Sequence, residues 1–137
     1  MRRAYLLVLA GTLLTDIAAA DIVRRNSIPK PYIGSWALNA ESCEAGGKGT
    51  IVLSARRYIS AATKCTIRAV YETAGAHGPI YSARTQCLSA TGGGGRTAEN
   101  LIIVPAGAGQ LSIGSDFNNL ESYQRCQSSS RPRRKLR

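Results

Sequence analysis

Apolar and polar residues alternate with a period of two along most of residues 32–126, and this alternation constrains the fold more than any other feature. Successive side chains of a β-strand point to opposite faces, so this period predicts strands that each bury one face. Segments rich in glycine, such as 92–95, interrupt the pattern as turns do. The alternating residues are Trp36, Leu38 and Ala40; Ile51, Leu53 and Ala55; Cys65, Ile67, Ala69 and Tyr71; Tyr81, Ala83, Thr85 and Cys87; Leu111 and Ile113; and Leu120, Ser122, Gln124 and Cys126. With the apolar run 101–104, the sequence predicts an all-β domain of about seven short strands, an antiparallel meander closed as a small barrel or folded as a sandwich.

The cysteines fit the same pattern. If residues 64–73 and 79–88 form a hairpin centred on Ala76, Cys65 lies opposite Cys87, close enough for a disulfide. The other pairs expected from this register are Ile67 with Thr85, Ala69 with Ala83, and Tyr71 with Tyr81. Cys43 and Cys126 then form the second disulfide, although four cysteines allow three connectivities and the sequence leaves all three open.

The first 20 residues are typical of a secretory signal peptide. Two arginines precede a largely apolar run, residues 4–14, that is too short to cross a membrane, and Ala18 and Ala20 suit a signal peptidase. No stretch of 18 apolar residues follows. We therefore expect cleavage before Asp21, no transmembrane segment afterwards, and a protein exported to the periplasm or beyond, where disulfides form.

Positive charge is concentrated at the other end of the sequence. The chain has 18 Lys and Arg against 8 Asp and Glu. Five of these cations lie in the last seven residues, namely Arg131, Arg133, Arg134, Lys135 and Arg137. Such a cluster attracts anionic lipid headgroups, cell-wall polymers or nucleic acid by charge alone, although no interleaved aromatic residue supports base stacking. The alternative is a solubilising end without a binding role.

These features divide the chain into four segments. Residues 1–20 form the signal peptide, and residues 21–31, which have no periodicity and two prolines, form a flexible, extended arm. Residues 32–126 form the β domain. Residues 127–137 form a disordered basic tail.

Residues typical of a catalytic or metal centre are sparse. The single histidine, His77, falls at the expected hairpin tip, where a general base is poorly held. The segment 46–50 lacks the glycine spacing and the following helix of a phosphate-binding loop. The cysteines have no C-x-x-C spacing of a structural zinc site. We therefore expect a protein that is not an enzyme and that has no cofactor, metal or nucleotide.

Gly34-Ser35-Trp36 resembles the G-x-W motif that opens calycin barrels, such as the lipocalins and the Inh-type periplasmic protease inhibitors. This resemblance implies that Trp36 closes one barrel end beneath an arginine from near the end of the barrel, and Arg125 is the candidate. With the four spaced cysteines and the segment 123–126, the chain also resembles small exported proteobacterial G-x-W proteins of unknown function. The arm 21–31 matches no inhibitory motif.

Three functions are compatible with these observations. The first is a non-catalytic binding or interaction protein whose partner is an envelope or secreted protein. The second is a periplasmic protease inhibitor that acts through loops or the arm. The third is an envelope-associated structural protein attached through its basic tail to an anionic polymer or lipid. An inhibitor complex should survive high salt, whereas attachment through the tail should weaken steeply as salt rises.

Overall fold

The computed structural model describes residues 21–45, 47–89 and 91–127. In these ranges the chain forms nine strands, one short α-helix and a 3₁₀ turn at Lys30–Tyr32. The strands are β1 (Val23–Arg25), β2 (Gly34–Ala37), β3 (Thr50–Leu53), β4 (Arg57–Ser60), β5 (Thr63–Gly75), β6 (Gly78–Ser89), β7 (Thr97–Pro105), β8 (Gln110–Gly114) and β9 (Glu121–Arg125), and the helix is α1 (Ala40–Ala45). The predicted signal peptide and residues 128–137 of the predicted tail lie outside the described residues.

Strands β2 to β9 close into an eight-stranded antiparallel barrel in which each strand pairs with the next and β9 pairs with β2. The predicted all-β fold is confirmed, as a barrel rather than a sandwich. Its strand number exceeds the expected seven because β4 was not predicted. In β4, Tyr58 packs against the core while Ile59 takes the outward position, so the segment shows no alternation of apolar and polar residues.

Both expected disulfides are confirmed. Cys65 lies opposite Cys87 in the long hairpin of β5 and β6, and the two form a buried cross-strand disulfide. The second disulfide joins Cys43 in α1 to Cys126, which follows β9. Because β9 is the last strand of the barrel, this bond links its end to the segment that follows β2.

The expected register of the β5–β6 hairpin is wrong beyond Ile67. A β-bulge at Arg68 shifts the pairing by one residue, so the expected pairs Ala69–Ala83 and Tyr71–Tyr81 do not form. The observed partners are Val70 with Ala83 and Glu72 with Tyr81. The extra residue of a bulge interrupts the strict alternation of faces, and here it allows both Ala69 and Val70 to be buried.

The segment predicted as a flexible arm is attached to the barrel. Strand β1 pairs with β5, with Val23 opposite Glu72. Ile28 is 2% exposed and joins the core, and its backbone N–H donates to the carbonyl of Ala55 at 2.8 Å. The polar residues and the proline around Ile28 give no periodic pattern, which is why the sequence did not indicate its burial.

The first barrel strand is shorter than its alternation predicted. The pattern continues to Ala40, but β2 ends at Ala37 and α1 follows. Asn39 accounts for the change, since its side-chain oxygen accepts a hydrogen bond from the N–H of Ser42 at 2.8 Å, as a helix N-cap does. Of the helices in the described ranges, none has the length and hydropathy that a membrane crossing requires.

Large side chains pack the interior of the barrel. The core cluster takes residues from β2, β3 and β5 to β9 together with Ile28. Its members are Ile28, Trp36, Ile51, Leu53, Ile67, Val70, Tyr81, Ala83, Leu101, Ile103, Leu111, Ile113 and Tyr123. Since these side chains point inward, most of the intervening residues of each strand lie on the outer surface, where a ligand can reach them.

Candidate binding surface of the barrel

The start of β2 brings together the two residues that the G-x-W resemblance singled out. Trp36 lies opposite Arg125 of β9, and the Arg125 Cζ atom is 4.3 Å from the centroid of the Trp36 ring. The Arg125 guanidinium donates to the carbonyls of Pro31 and Ile33, and Trp36 Nε1 donates to the carbonyl of Tyr32 at 3.0 Å. Three successive carbonyls thus bind this pair to the segment before β2. Closure of the barrel by the pair stays a prediction.

Gly34 gives the Arg125 guanidinium its space. A Cβ at position 34 would lie 2.7 Å from Arg125 Nη1, and the φ of +144° is one that other residues rarely adopt.

We therefore expect Gly34→Ala to lower the free energy of unfolding by about 1–3 kcal/mol, measured by urea denaturation with the fluorescence of Trp36. Gly93→Ala is the matched control, because position 93 has open space and no positive φ. Equal stability of the two variants would contradict both the close approach of Arg125 to position 34 and the strain expected at this φ.

A compact cluster lies around the Cys65–Cys87 disulfide. A carboxylate oxygen of Glu99 and the two sulfurs lie within 4.8 Å of one another. Thr85 Oγ1 donates to the carbonyl of Glu99 at 2.9 Å. Both sulfurs are joined in the disulfide and provide no thiolate for a metal. The cluster links β5, β6 and β7.

Three tyrosines of the barrel have raised pKa values. Burial, followed by a hydrogen bond with Tyr32, raises the pKa of Tyr81 to about 12. Burial is also the main cause that raises the pKa of Tyr123, whose hydroxyl donates to Glu121 Oε2 at 3.0 Å. Burial raises the pKa of Tyr58. These hydroxyls therefore stay neutral at physiological pH and add no negative charge to the barrel.

The tip of the β5–β6 hairpin is open to solvent. His77 lies in its two-residue turn and is exposed. Beside it, an open cleft of about 400 Å³ lies between β1 and the hairpin, with Val23, Thr73 and Pro79 in its wall. The wall also contains Glu72, whose carboxylate forms an ion pair with Arg25. This carboxylate is therefore engaged within the fold.

Positive charge collects on the outer face of β1, β4, β5 and β6. We call this surface the basic face, and define it by Arg24, Arg57, Lys64, Arg68 and Arg84, all of them exposed. The four strands contain one acidic residue, Glu72. Because Glu72 lies opposite the buried Tyr81, it belongs to the inward side of the sheet.

The middle of the basic face is built on one row of opposed residues. Arg57 of β4 lies opposite Thr66 of β5, which lies opposite Gln86 of β6. Arg68, the extra residue of the bulge, donates from Nη2 and Nε to Gln86 Oε1, at 2.6 and 3.1 Å. The partner of the Arg68 guanidinium is a neutral amide, so its charge is not compensated.

The arginines near Tyr71, farther along β5, also have no carboxylate partner among the described residues. The Arg84 Cζ atom lies 5.6 Å from the centroid of the Tyr71 ring, and Arg24 of β1 lies opposite Tyr71. Within residues 21–45, 47–89 and 91–127, the one ion pair joins Arg25 to Glu72 and leaves these cations without a carboxylate. A neutral ring and a neutral amide orient the guanidinium groups of Arg84 and Arg68 and leave them available to an anionic ligand.

Partly exposed apolar side chains cross the same outer surface. We call Val52, Ile59 and Leu88 the apolar row. Val52 lies opposite Ile59, Ile59 opposite Lys64, and Lys64 opposite Leu88, across strands β3 to β6. Val52 is 38% exposed, Leu88 is 42% exposed, and Ile59 is half-buried. Apolar groups and uncompensated cations are therefore neighbours on one surface.

The predicted anionic-surface residues of the tail, Arg131, Arg133, Arg134, Lys135 and Arg137, lie outside the described residues. Their binding role stays a prediction. Sequence reasoning assigned the charge to this tail and missed the basic face. Lys64 and Arg68 alternate with Cys65 and Ile67, so the hairpin pattern carried a signal for their outward direction. Arg57 gave no such signal, because β4 was not predicted.

Comparison of the chain with protein-family models, curated proteins and solved structures finds no match. The features of this chain that bear on its function are the charge of the basic face, the neutral partners of its arginines and the apolar row beside them.

Proposed function

We propose that this chain is an exported, non-catalytic binding protein whose basic face attaches it to an anionic component of the cell envelope. The observation that supports this proposal is the uncompensated charge of five cations on one outer surface, in strands whose single acidic residue faces inward. Four of the five cations are arginines, whose planar guanidinium binds phosphate or carboxylate oxygens through two parallel hydrogen bonds.

Export is part of the same proposal. Residues 1–20 have the pattern of a signal peptide, and the two disulfides are compatible with an oxidising compartment. The intact mass of protein made from the full sequence in an exporting host should correspond to a chain that starts at Asp21 and has no free thiol. A mass that retains residues 1–20 would contradict export by this route.

The non-catalytic part of the proposal rests on the placement of reactive groups. His77 is exposed on a two-residue turn, and the four cysteines are joined in disulfides. The barrel interior is occupied by the core cluster. A general base needs a partner that orients it and a bound substrate within hydrogen-bond reach, and an exposed turn provides a poor setting for both.

An inhibitor that acts through the N-terminal arm would first have to detach the arm from the barrel. Strand β1 is paired with β5 over three residues, and Ile28 is buried in the core. Releasing the arm would expose Ile28 and break the ion pair between Arg25 and Glu72. Attachment through the basic face needs no such rearrangement, and we therefore favour it over inhibition through the arm.

The test compares the basic face with the tail at equal loss of charge. Arg57→Gln/Arg68→Gln/Arg84→Gln removes three cations from the face, and Arg131→Gln/Arg133→Gln/Arg134→Gln removes three from the tail. Both are made in the full sequence, and binding to heparin, a soluble polyanion, is measured at several salt concentrations. We expect the slope of log affinity against log salt to fall by about 2–3 for the face variant, with a smaller change for the tail variant.

The reverse result would assign attachment to the tail and contradict the proposal. Circular dichroism and urea denaturation check that both variants keep the barrel. Since the three arginines of the face variant are exposed, we expect no loss of stability beyond about 1 kcal/mol.

A further inference from the structure

We infer that the anionic component is a phospholipid membrane surface, whose headgroups bind the basic face while the apolar row enters the boundary between headgroups and acyl chains. This inference rests on the proposed function and names the ligand of the same surface. The observation that supports it, independently of the charge of the basic face, is the apolar row. A soluble polyanion offers no hydrocarbon to Val52 and Leu88, whereas a membrane offers phosphates and hydrocarbon side by side.

The spacing of the two sets of side chains suits such a boundary. The apolar row passes through Lys64, and the row with Arg57 passes through Thr66, two residues farther along β5. Two residues of a strand span about 7 Å. This is comparable with the depth of about 5–10 Å to which amphipathic surfaces enter a bilayer. With the apolar row in that boundary, Arg57 and Arg68 lie level with the phosphates.

Lys64 is compatible with this orientation although it interrupts the apolar row. Its side chain has an apolar stem of four carbons that lies along hydrocarbon while the ammonium group reaches toward water or phosphate. Lys64 is exposed and has Ile59 on one side and Leu88 on the other. The ammonium group therefore remains free to meet a headgroup.

A second copy of the chain is a poorer occupant of this surface. Two-fold pairing would bring the same patch of both copies together. The cations of one basic face would then meet those of the other without a carboxylate between them, and like charges in contact oppose association. An anionic lipid surface compensates the same charges.

Co-sedimentation with vesicles tests the inference on protein made from the full sequence. One set of vesicles contains about one third phosphatidylglycerol in phosphatidylcholine, and the other contains phosphatidylcholine alone. We expect binding to the anionic vesicles and little to the neutral ones. Arg57→Gln/Arg68→Gln/Arg84→Gln should weaken binding roughly 100-fold, since each cation near an anionic surface contributes about fivefold.

The variant that separates membrane from polyanion is Val52→Gln/Leu88→Gln, which leaves the charge unchanged. We expect roughly tenfold weaker binding to anionic vesicles, because two partly exposed apolar side chains are lost from the contact, and unchanged retention on heparin. If this variant binds anionic vesicles as the wild type does, the lipid inference is overturned.

The two proposals fail in different ways. If the wild type binds heparin through the basic face but does not bind anionic vesicles, the lipid inference is wrong and the proposed function stands. If the face variant matches the wild type on both probes, both proposals are wrong. If gel filtration shows that the wild type is a dimer and that Val52→Gln/Leu88→Gln is a monomer, copies of the chain pair through this surface and the lipid inference is overturned.

Discussion

Replacing Trp36 by alanine is expected to lower the free energy of unfolding by about 3–5 kcal/mol, the usual cost of removing a large aromatic side chain from a core. Trp36 is 2% exposed, and it contacts the Tyr32 carbonyl and the Arg125 guanidinium. Its indole N–H donates to the carbonyl of Tyr32, and its ring lies beneath the Arg125 guanidinium. The substitution therefore leaves a cavity, removes the hydrogen bond to the Tyr32 carbonyl and removes the aromatic ring that contacts the Arg125 guanidinium.

Urea denaturation followed by circular dichroism measures this effect, since the variant lacks the single tryptophan of the chain. Leu38→Ala is the control, because Leu38 lies two residues farther along and is 44% exposed. Its loss should be within about 0.5 kcal/mol, as for most surface substitutions. A Trp36 variant no less stable than the Leu38 variant would contradict the packing described around Trp36 and Arg125.

Removing the disulfide between Cys43 and Cys126 is expected to lower the free energy of unfolding by about 2–5 kcal/mol. The bond joins residues 83 apart in sequence, so it restricts most of the unfolded β domain. The chain-entropy relation gives roughly 4.5 kcal/mol for such a loop. We expect Cys43→Ala/Cys126→Ala to keep the native barrel, since β2 and β9 stay paired through Trp36 and Arg125.

Urea denaturation gives the loss of stability, and heparin binding under native conditions should be unchanged because the basic face is intact. Cys65→Ala/Cys87→Ala is the comparison, because its cysteines are only 22 positions apart in sequence. The entropy relation gives roughly 3 kcal/mol there, and the loss of two buried side chains adds to it. A loss below about 1 kcal/mol for the Cys43 variant would show that the unfolded chain is already restricted by other contacts.

The parts of the fold that depend on local alternation were open to prediction from the sequence. The positions of Cys65 and Ile67 predicted the hairpin, the face of β5 that is buried and the disulfide between Cys65 and Cys87. The second disulfide was expected between the two remaining cysteines, although the sequence left the other connectivities open. The predictions that were wrong concern the register of the β5–β6 hairpin and the length of β2, which depend on interactions that alternation does not encode. A bulge at Arg68 changed the register, and Asn39 began a helix where the pattern continued a strand.

The basic face could not be predicted from the sequence for a related reason. A charge on an outward position is ordinary in any single strand, and only the closed sheet brings Arg57 of β4 next to Lys64 and Arg68 of β5. Likewise, Ile28 lies in a segment with no periodicity, and its burial depends on the barrel end that it enters. By contrast, the partnership of Trp36 and Arg125 came from the G-x-W resemblance rather than from the alternation.

The most direct test of the basic face is a titration of isotope-labelled protein, made from the full sequence, with a short inorganic polyphosphate, followed by nuclear magnetic resonance. The side-chain Nε–Hε resonances of Arg57, Arg68 and Arg84 are expected to shift together as polyphosphate is added. Arg125 serves as the internal control, since backbone carbonyls already hold its guanidinium. Shifts confined to the arginines of residues 131–137, with those of Arg57, Arg68 and Arg84 unmoved, would contradict a binding surface on the barrel.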